Sequence, residues 1–170
     1  MMVNATVKEL RAKSDAAWGN VTHQLQGMEP YMDRSDAPGE WTTRQVLAHL
    51  LGAPGRKPVD FLKKFSDRDL PVSETTPGQT AVSPERQKMT LKQFLDALDS
   101  QRREVLAYVE GLPEADLGRR KARIPFLKQF LGTDEIALAM FAGLLFDRHW
   151  NEHAGQLAKI RKAVGLPDAK

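Results

Sequence analysis

No cysteine occurs in the 170 residues, which excludes disulfides, thiolate metal ligands and a nucleophilic thiol supplied by the chain itself. Any thiol chemistry has to come from a second molecule. Long apolar runs are missing too. The longest uncharged one, Ile136 to Phe146, is about half of the ~20 residues that span a bilayer, and it ends at Asp147. It is expected in a protein core, with no membrane partner. The stretch from Met1 to Lys13 carries charges every few residues and has no apolar segment of the signal-peptide kind, so a cytoplasmic location is expected. Nor is there a large excess of one charge. The 25 Lys+Arg against 22 Asp+Glu leave +3, a field too weak to imply nucleic acid.

What is present is the composition of one globular domain, residues 1–170, with 41% hydrophobic and 28% charged residues. At this length folding buries roughly 70% of the extended chain's surface, enough for a core without covalent staples. Four segments carry the 3.6-residue hydrophobic period and none alternates convincingly with period two, so the expected fold is all-α. The first helix is expected from Thr6 to Met28, with Val7, Leu10, Ala17, Trp18, Val21, Leu25 and Met28 on one side and Ser14 filling the gap. The second begins after Thr42, which has capping-box spacing to Gln45, while Trp41 and Val46 sit where a hydrophobic staple would clamp the chain. It stops at Gly52, ahead of Pro54-Gly55.

From Pro54 to Met89 the chain holds five of its ten prolines, with one short helix expected over Pro58 to Phe65. The third helix repeats the cap at Thr90 and Gln93, with Met89 and Phe94 as staple, and ends at Gly111 and Pro113. The fourth is expected from Thr133, with Asp134 and Glu135 in its first turn, to about Val164. Four amphipathic helices with one long and two short connections predict a four-helix bundle. The long crossover between helices 2 and 3 lets those two run parallel.

The chain has only four histidines. On a helical wheel, His149 and His153 share the core stripe of Leu138, Ala142, Phe146, Leu157 and Ile160. Imidazoles one turn apart, with Cβ atoms about 5–6 Å from each other, can share one metal ion at roughly 2.0–2.1 Å per Zn–N bond. His49 lies beside the stripe of the second helix and offers a third nitrogen. His23 falls opposite the apolar face and is assigned no role. Spacing alone leaves two readings open: a metal site, or core histidines satisfied by carbonyls or water. Against the second, two adjacent buried imidazoles without an ion would each be desolvated and would repel on protonation. His149-Trp150-Asn151-Glu152-His153 also fits the H-x-x-E-H pattern of a metalloprotease, but too little chain follows it for a peptide groove.

Several pieces of the chain resemble the DinB/YfiT-like family. They are Trp41-Thr42 with Gln45-Val46-Leu47-Ala48-His49-Leu50, then Leu112-Pro113-Glu114-Ala115-Asp116-Leu117, then His149-x-x-Glu152-His153 followed by Gln156-Leu157. Their order spans nearly the whole chain. The resemblance implies a four-helix bundle and a divalent metal such as Zn, Ni or Fe, with His49, His149 and His153 as its ligands. It also implies an open coordination position. Characterised relatives include transferases and isomerases that use a low-molecular-weight thiol such as bacillithiol, mycothiol or glutathione, and several members are stress-induced. Gly52-Ala53-Pro54-Gly55, directly after the His49 turn, departs from many members and shortens the second helix.

On this reading an external thiol or a water acts as nucleophile on a small-molecule substrate, and no catalytic side chain is assigned. Glu152 is rotated away from His149 and reads as solvated, whereas Gln156 is placed to orient a ligand imidazole. Gln101 and Arg102 read as an edge of the third helix's core face. The basic run Arg119, Arg120, Lys121 and Arg123 reads as solvated surface in preference to a guide for an anionic thiol. Trp18, Trp41 and Trp150 have packing explanations. The competing reading is a non-catalytic, stress-related binding or scaffolding bundle, its metal structural or absent and its apolar faces used for a homodimer.

Overall fold

A computed structural model of the chain describes residues 4–170; the first three residues of the charged N-terminal stretch lie outside the described part. Helix α1 (Ala5–Gln24) starts at Asn4, whose side-chain oxygen accepts from the backbone N–H groups of Thr6 (2.9 Å) and Val7 (3.3 Å). Val7, Leu10, Ser14, Ala17 and Val21 form its buried face, and Leu25 and Met28, past its end, stay in the core. Both expected capping boxes are present. Before α2 (Thr43–Leu51), Thr42 Oγ1 accepts from Gln45 N–H (3.2 Å) while Gln45 Oε1 accepts from Thr42 N–H (2.8 Å). Before α5 (Leu91–Glu110), Thr90 and Gln93 do the same at 3.2 and 2.9 Å. The crossover between them carries two short helices, α3 (Pro58–Leu62) and α4 (Pro84–Gln87).

Contacts between the long helices fix their directions. Arg11 pairs with Glu110, Asp15 with Arg102 (2.8 Å), and the Glu29 carboxylate accepts from Leu91 N–H (3.0 Å). Ascending numbers on the α1 side meet descending ones on α5, so these two are antiparallel. Arg44 donates to Met89 O (2.6 Å) at the start of α5, and Gln101 donates to Leu50 O (3.0 Å) farther along it. Here the numbers rise together, so α2 and α5 are parallel, as a long crossover permits. Along the fourth helix, Gly143 lies beside Leu10 and Lys13, Asn151 bonds Asn20 (2.9 Å) and Arg161 bonds Gln24 O (3.2 Å), which makes it parallel to α1. The bundle order is up, down, down, up.

The third connection corrects the sequence reading twice. It is long, and it contains α6 (Glu114–Arg119), a strand β1 (Lys121–Arg123), α7 (Lys128–Leu131) and a strand β2 (Glu135–Ala137). The strands pair antiparallel with Ala122 opposite Ile136, both buried at 2% and 0% exposure. An alternation only three residues long is too brief to register as a period. The fourth helix therefore begins at Leu138, after β2, and not at Thr133. Asp134 and Glu135 face Arg123 (3.6 Å) and Lys121 (2.9 Å) across the ribbon, whereas the sequence suggested a helix dipole as their partner. That helix consists of α8 (Leu138–Leu144), a π-helical turn (Leu145–Trp150) and α9 (Asn151–Ala163). Among the described residues no helix is long and apolar enough to cross a membrane.

Phe94 is fully buried at the centre of the bundle, whereas Met140 is 54% exposed. Phe94→Ala is expected to cost about 3–5 kcal/mol through the cavity it leaves, Thr90→Ala about 1 kcal/mol through the lost cap, and Met140→Ala less than about 0.5 kcal/mol. Urea midpoints at constant m-value check all three.

Candidate metal centre

The π turn decides which side chains of the fourth helix face the core. Such a turn takes in one residue more than an α turn, so the stripe of Leu138, Ala142 and Phe146 continues through Trp150, Ala154, Leu157 and Ile160, all buried. A regular wheel would have put His149 and His153 on that stripe. They lie instead on its flank, half-buried. His49, on the last full turn of α2, is half-buried as well.

The three histidines meet. Their ring centroids stand 4.7–4.9 Å apart pairwise, and one ring nitrogen from each lies within 4.8 Å of the other two. His49 Nε2 is 2.9 Å from His149 Nε2. His49 Nδ1 faces the backbone carbonyl of Gln79 at 2.6 Å, and His153 Nδ1 faces the side-chain oxygen of Gln156 at 2.9 Å. Oxygens of this kind only accept, so each Nδ1 carries the proton and each Nε2 keeps its lone pair. The rings thus have the tautomer of a nitrogen ligand, and their outer nitrogens have the oxygen partners that metal-binding imidazoles usually have. Nitrogens sharing one ion at 2.0–2.1 Å per bond stand about 3.3 Å apart in a tetrahedral site, between the spacings found here. The donor set fits a divalent transition metal.

Trp41 forms a wall of this site. Its ring lies parallel to His153 (centroids 6.0 Å apart, planes at 3°) and 5.0 Å from His49. The sequence marked Trp41 only as a staple; its nearness to the fourth helix depends on packing. Gln79 and its carbonyl were also missed, because a main-chain oxygen leaves no mark in a sequence.

Other candidates fall outside the group. Glu152 pairs with Arg148 at 3.0 Å and is well exposed, and His23 takes no part. Gln101 points inward to the end of α2 through Leu50 O, while Arg102 lies over Trp18 and between Asp15 and Asp99. The basic run is matched by acids: Arg119 and Arg120 hold Asp116, Lys121 holds Glu135 and Arg123 faces Asp134.

The sequence model of the DinB superfamily matches residues 3–157. The chain belongs to this superfamily. Among solved structures it is similar to YfiT from Bacillus subtilis, described as a probable metal-dependent hydrolase with an unusual four-helix bundle topology, at 16% identity and a TM-score of 0.68. The match covers 93% of this chain and 89% of that one, so the fold is that of a DinB-like bundle. No curated protein matches the sequence.

Burial, followed by the neighbouring His153 and His49 rings, pushes His149 down to about 3 from an ordinary 6.5. His153 is lowered as well, mainly by burial, against a raising contact from Gln156. Between pH 6.5 and about 3 the unfolded chain therefore holds a proton at position 149 that the folded chain refuses, so stability falls as pH falls through that window. The carboxylates act lower down. Asp33, Asp116 and Glu135 are depressed by hydrogen bonds from Arg44, Arg119 and Lys121, from ordinary values of 3.8, 3.8 and 4.5. Their stabilisation is complete above those values and disappears in acid. Metal-free protein is expected to lose stability between pH 7 and 5, and His149→Leu is expected to flatten the slope; urea titrations across that range decide it.

Proposed function

We propose that this DinB-superfamily protein is a metal-dependent enzyme whose centre is His49, His149 and His153. It prepares a nucleophile, water or a small external thiol, for attack on a small-molecule substrate. The observation that carries the reading is the convergence of three imidazoles whose outer nitrogens at His49 and His153 are already committed to oxygen partners. Lone pairs aimed into one space repel unless an electrophile lies between them.

His49, His149 and His153 would hold a divalent ion as three neutral ligands, and such an ion would supply the charge that lowers the pKa of a bound water or thiol toward neutrality. The chain's own contribution is positional. Gln79 and Gln156 fix the two rings in one tautomer, and the burial of His149 keeps that imidazole unprotonated down to low pH. Trp41 closes one side with an apolar face, which excludes water and favours the flat or apolar part of a substrate. No carboxylate belongs to the group, so the nucleophile's proton leaves to solvent or to a group on the substrate. With no cysteine in the chain, thiol-dependent turnover requires an added thiol. The YfiT description as a probable metal-dependent hydrolase supports the metal and favours water as the first nucleophile to assay.

Protein prepared without an affinity tag or chelator is expected to carry about one divalent ion per chain. His149→Ala and His153→Ala are expected to carry almost none, and the ion should be released as pH falls and protons compete for the imidazoles. Elemental analysis measures this. A parent protein that takes up no Zn, Ni or Fe near neutral pH rejects the proposal. Hydrolysis of activated esters and amides, compared with conjugation across several small thiols, then separates the two nucleophiles.

A further inference from the structure

Gln79, whose carbonyl meets His49, lies in the crossover, whose first half is held by the buried Val59, Leu62 and Phe65 and by backbone bonds of Ser66 and Ser73 to Lys121 and Arg123, and whose stretch after Gln79 is bonded to the end of α2 by one side chain. The guanidinium of Arg86, opposite the end of α2, donates from Nη1 to the carbonyls of Ala48 (3.1 Å), Gly52 and Ala81 (2.9 Å). Ala48 and Gly52 flank the turn that carries His49, and Gly52 N–H bonds His49 O at 2.9 Å. Ala81, two residues beyond Gln79, has φ +55°, the left-handed region that is strained for a residue with a Cβ. Such a turn persists only where its surroundings hold it. Arg86 is itself anchored, since its own carbonyl accepts from Arg44 (3.1 Å), whose Nε is held by Asp33 (2.8 Å).

We propose that Arg86 is a positioning residue for His49: it locks the strained turn at Ala81 to the end of α2 and so presents the Gln79 carbonyl to His49 Nδ1. The carbonyl keeps the proton on Nδ1 and the ring rotated with Nε2 toward His149. Arg86 touches none of the three histidines and acts through the backbone on either side of His49. This assignment rests on the metal-centre reading for its purpose, but its structural content is independent of any ion.

The test uses the full chain, metal-free, with 15N-labelled histidine at pH 7.5. Long-range 1H–15N spectra report which nitrogen of His49 holds the proton. The parent is expected to show the Nδ1–H form, and Arg86→Met a shift toward Nε2–H at His49 while His153, held by Gln156, is unchanged. Arg161→Met is the matched control. Arg161 is likewise bonded to three carbonyls, those of Gln24, Gln26 and Pro167, and is more deeply buried than Arg86, but lies at the far end of α9; that variant is expected to lose stability without altering His49. In a competition titration with a chromophoric chelator, Zn(II) affinity is expected to fall about 10- to 100-fold in Arg86→Met and to stay unchanged in Arg161→Met. Should Arg86→Met not fold, Arg86→Gln, uncharged and too short to reach the same three carbonyls, is read in the same way. A folded Arg86 variant with the parent's His49 spectrum overturns the proposal, as does an equal shift in Arg161→Met. Failure of the parent to bind Zn(II) would overturn the metal centre alone and leave the spectral result standing.

Discussion

Two imidazole nitrogens at 2.9 Å, both half-buried and neither grouped with a carboxylate, constrain the structure around them. Unprotonated nitrogen pairs repel, and burial disfavours protonation of His149. The bundle imposes this arrangement from three directions. The end of α2 delivers His49, the π turn and the first turn of α9 deliver His149 and His153, and the crossover supplies an acceptor on the outer side of His49. An interior cluster of this kind is hard to account for as packing, because an apolar side chain of similar size would fill the same volume without the electrostatic cost.

The up-down-down-up order makes the meeting geometrically simple. Because α2 and α5 are parallel, the chain needs a long crossover to return to its starting end, and that length passes over the end of α2. The Ser/Thr- and Pro-rich segment that looked like mere connection is therefore placed to act on the site. Its two arginine anchors bond backbone carbonyls, which have no sequence signature. Arg44 and Arg86 look in the sequence like any other charged residues of a helix or loop.

Legibility followed the range of the interactions. Thr42 with Gln45 and Thr90 with Gln93 were readable because a capping box is closed within four residues, and Gly52 was readable because a positive φ (78°) at a helix end favours glycine. His49, His149 and His153 were found as candidates by composition and spacing, and the family resemblance grouped them. The β ribbon escaped because its partners are far apart in the chain (Lys121 with Ala137, Ala122 with Ile136, Arg123 with Glu135) and each strand is three residues long. The π turn escaped because a wheel drawn at a fixed angle per residue assumes the regularity that the turn breaks. The wheel consequently set the histidines on the core stripe, where Trp150 and Ala154 actually lie.

That wide turn has an implication for how this helix tolerates change in length. A π segment is equivalent to an α-helix with one residue inserted and never expelled, and its backbone is already paying for the misfit. Deleting a residue between Leu145 and Arg148 would let the backbone relax into a regular spiral, so the chain could become more robust to heat. Because the wide turn already absorbs the extra residue, the regular helix would keep Trp150 and Ala154 on the core stripe and both imidazoles on its flank.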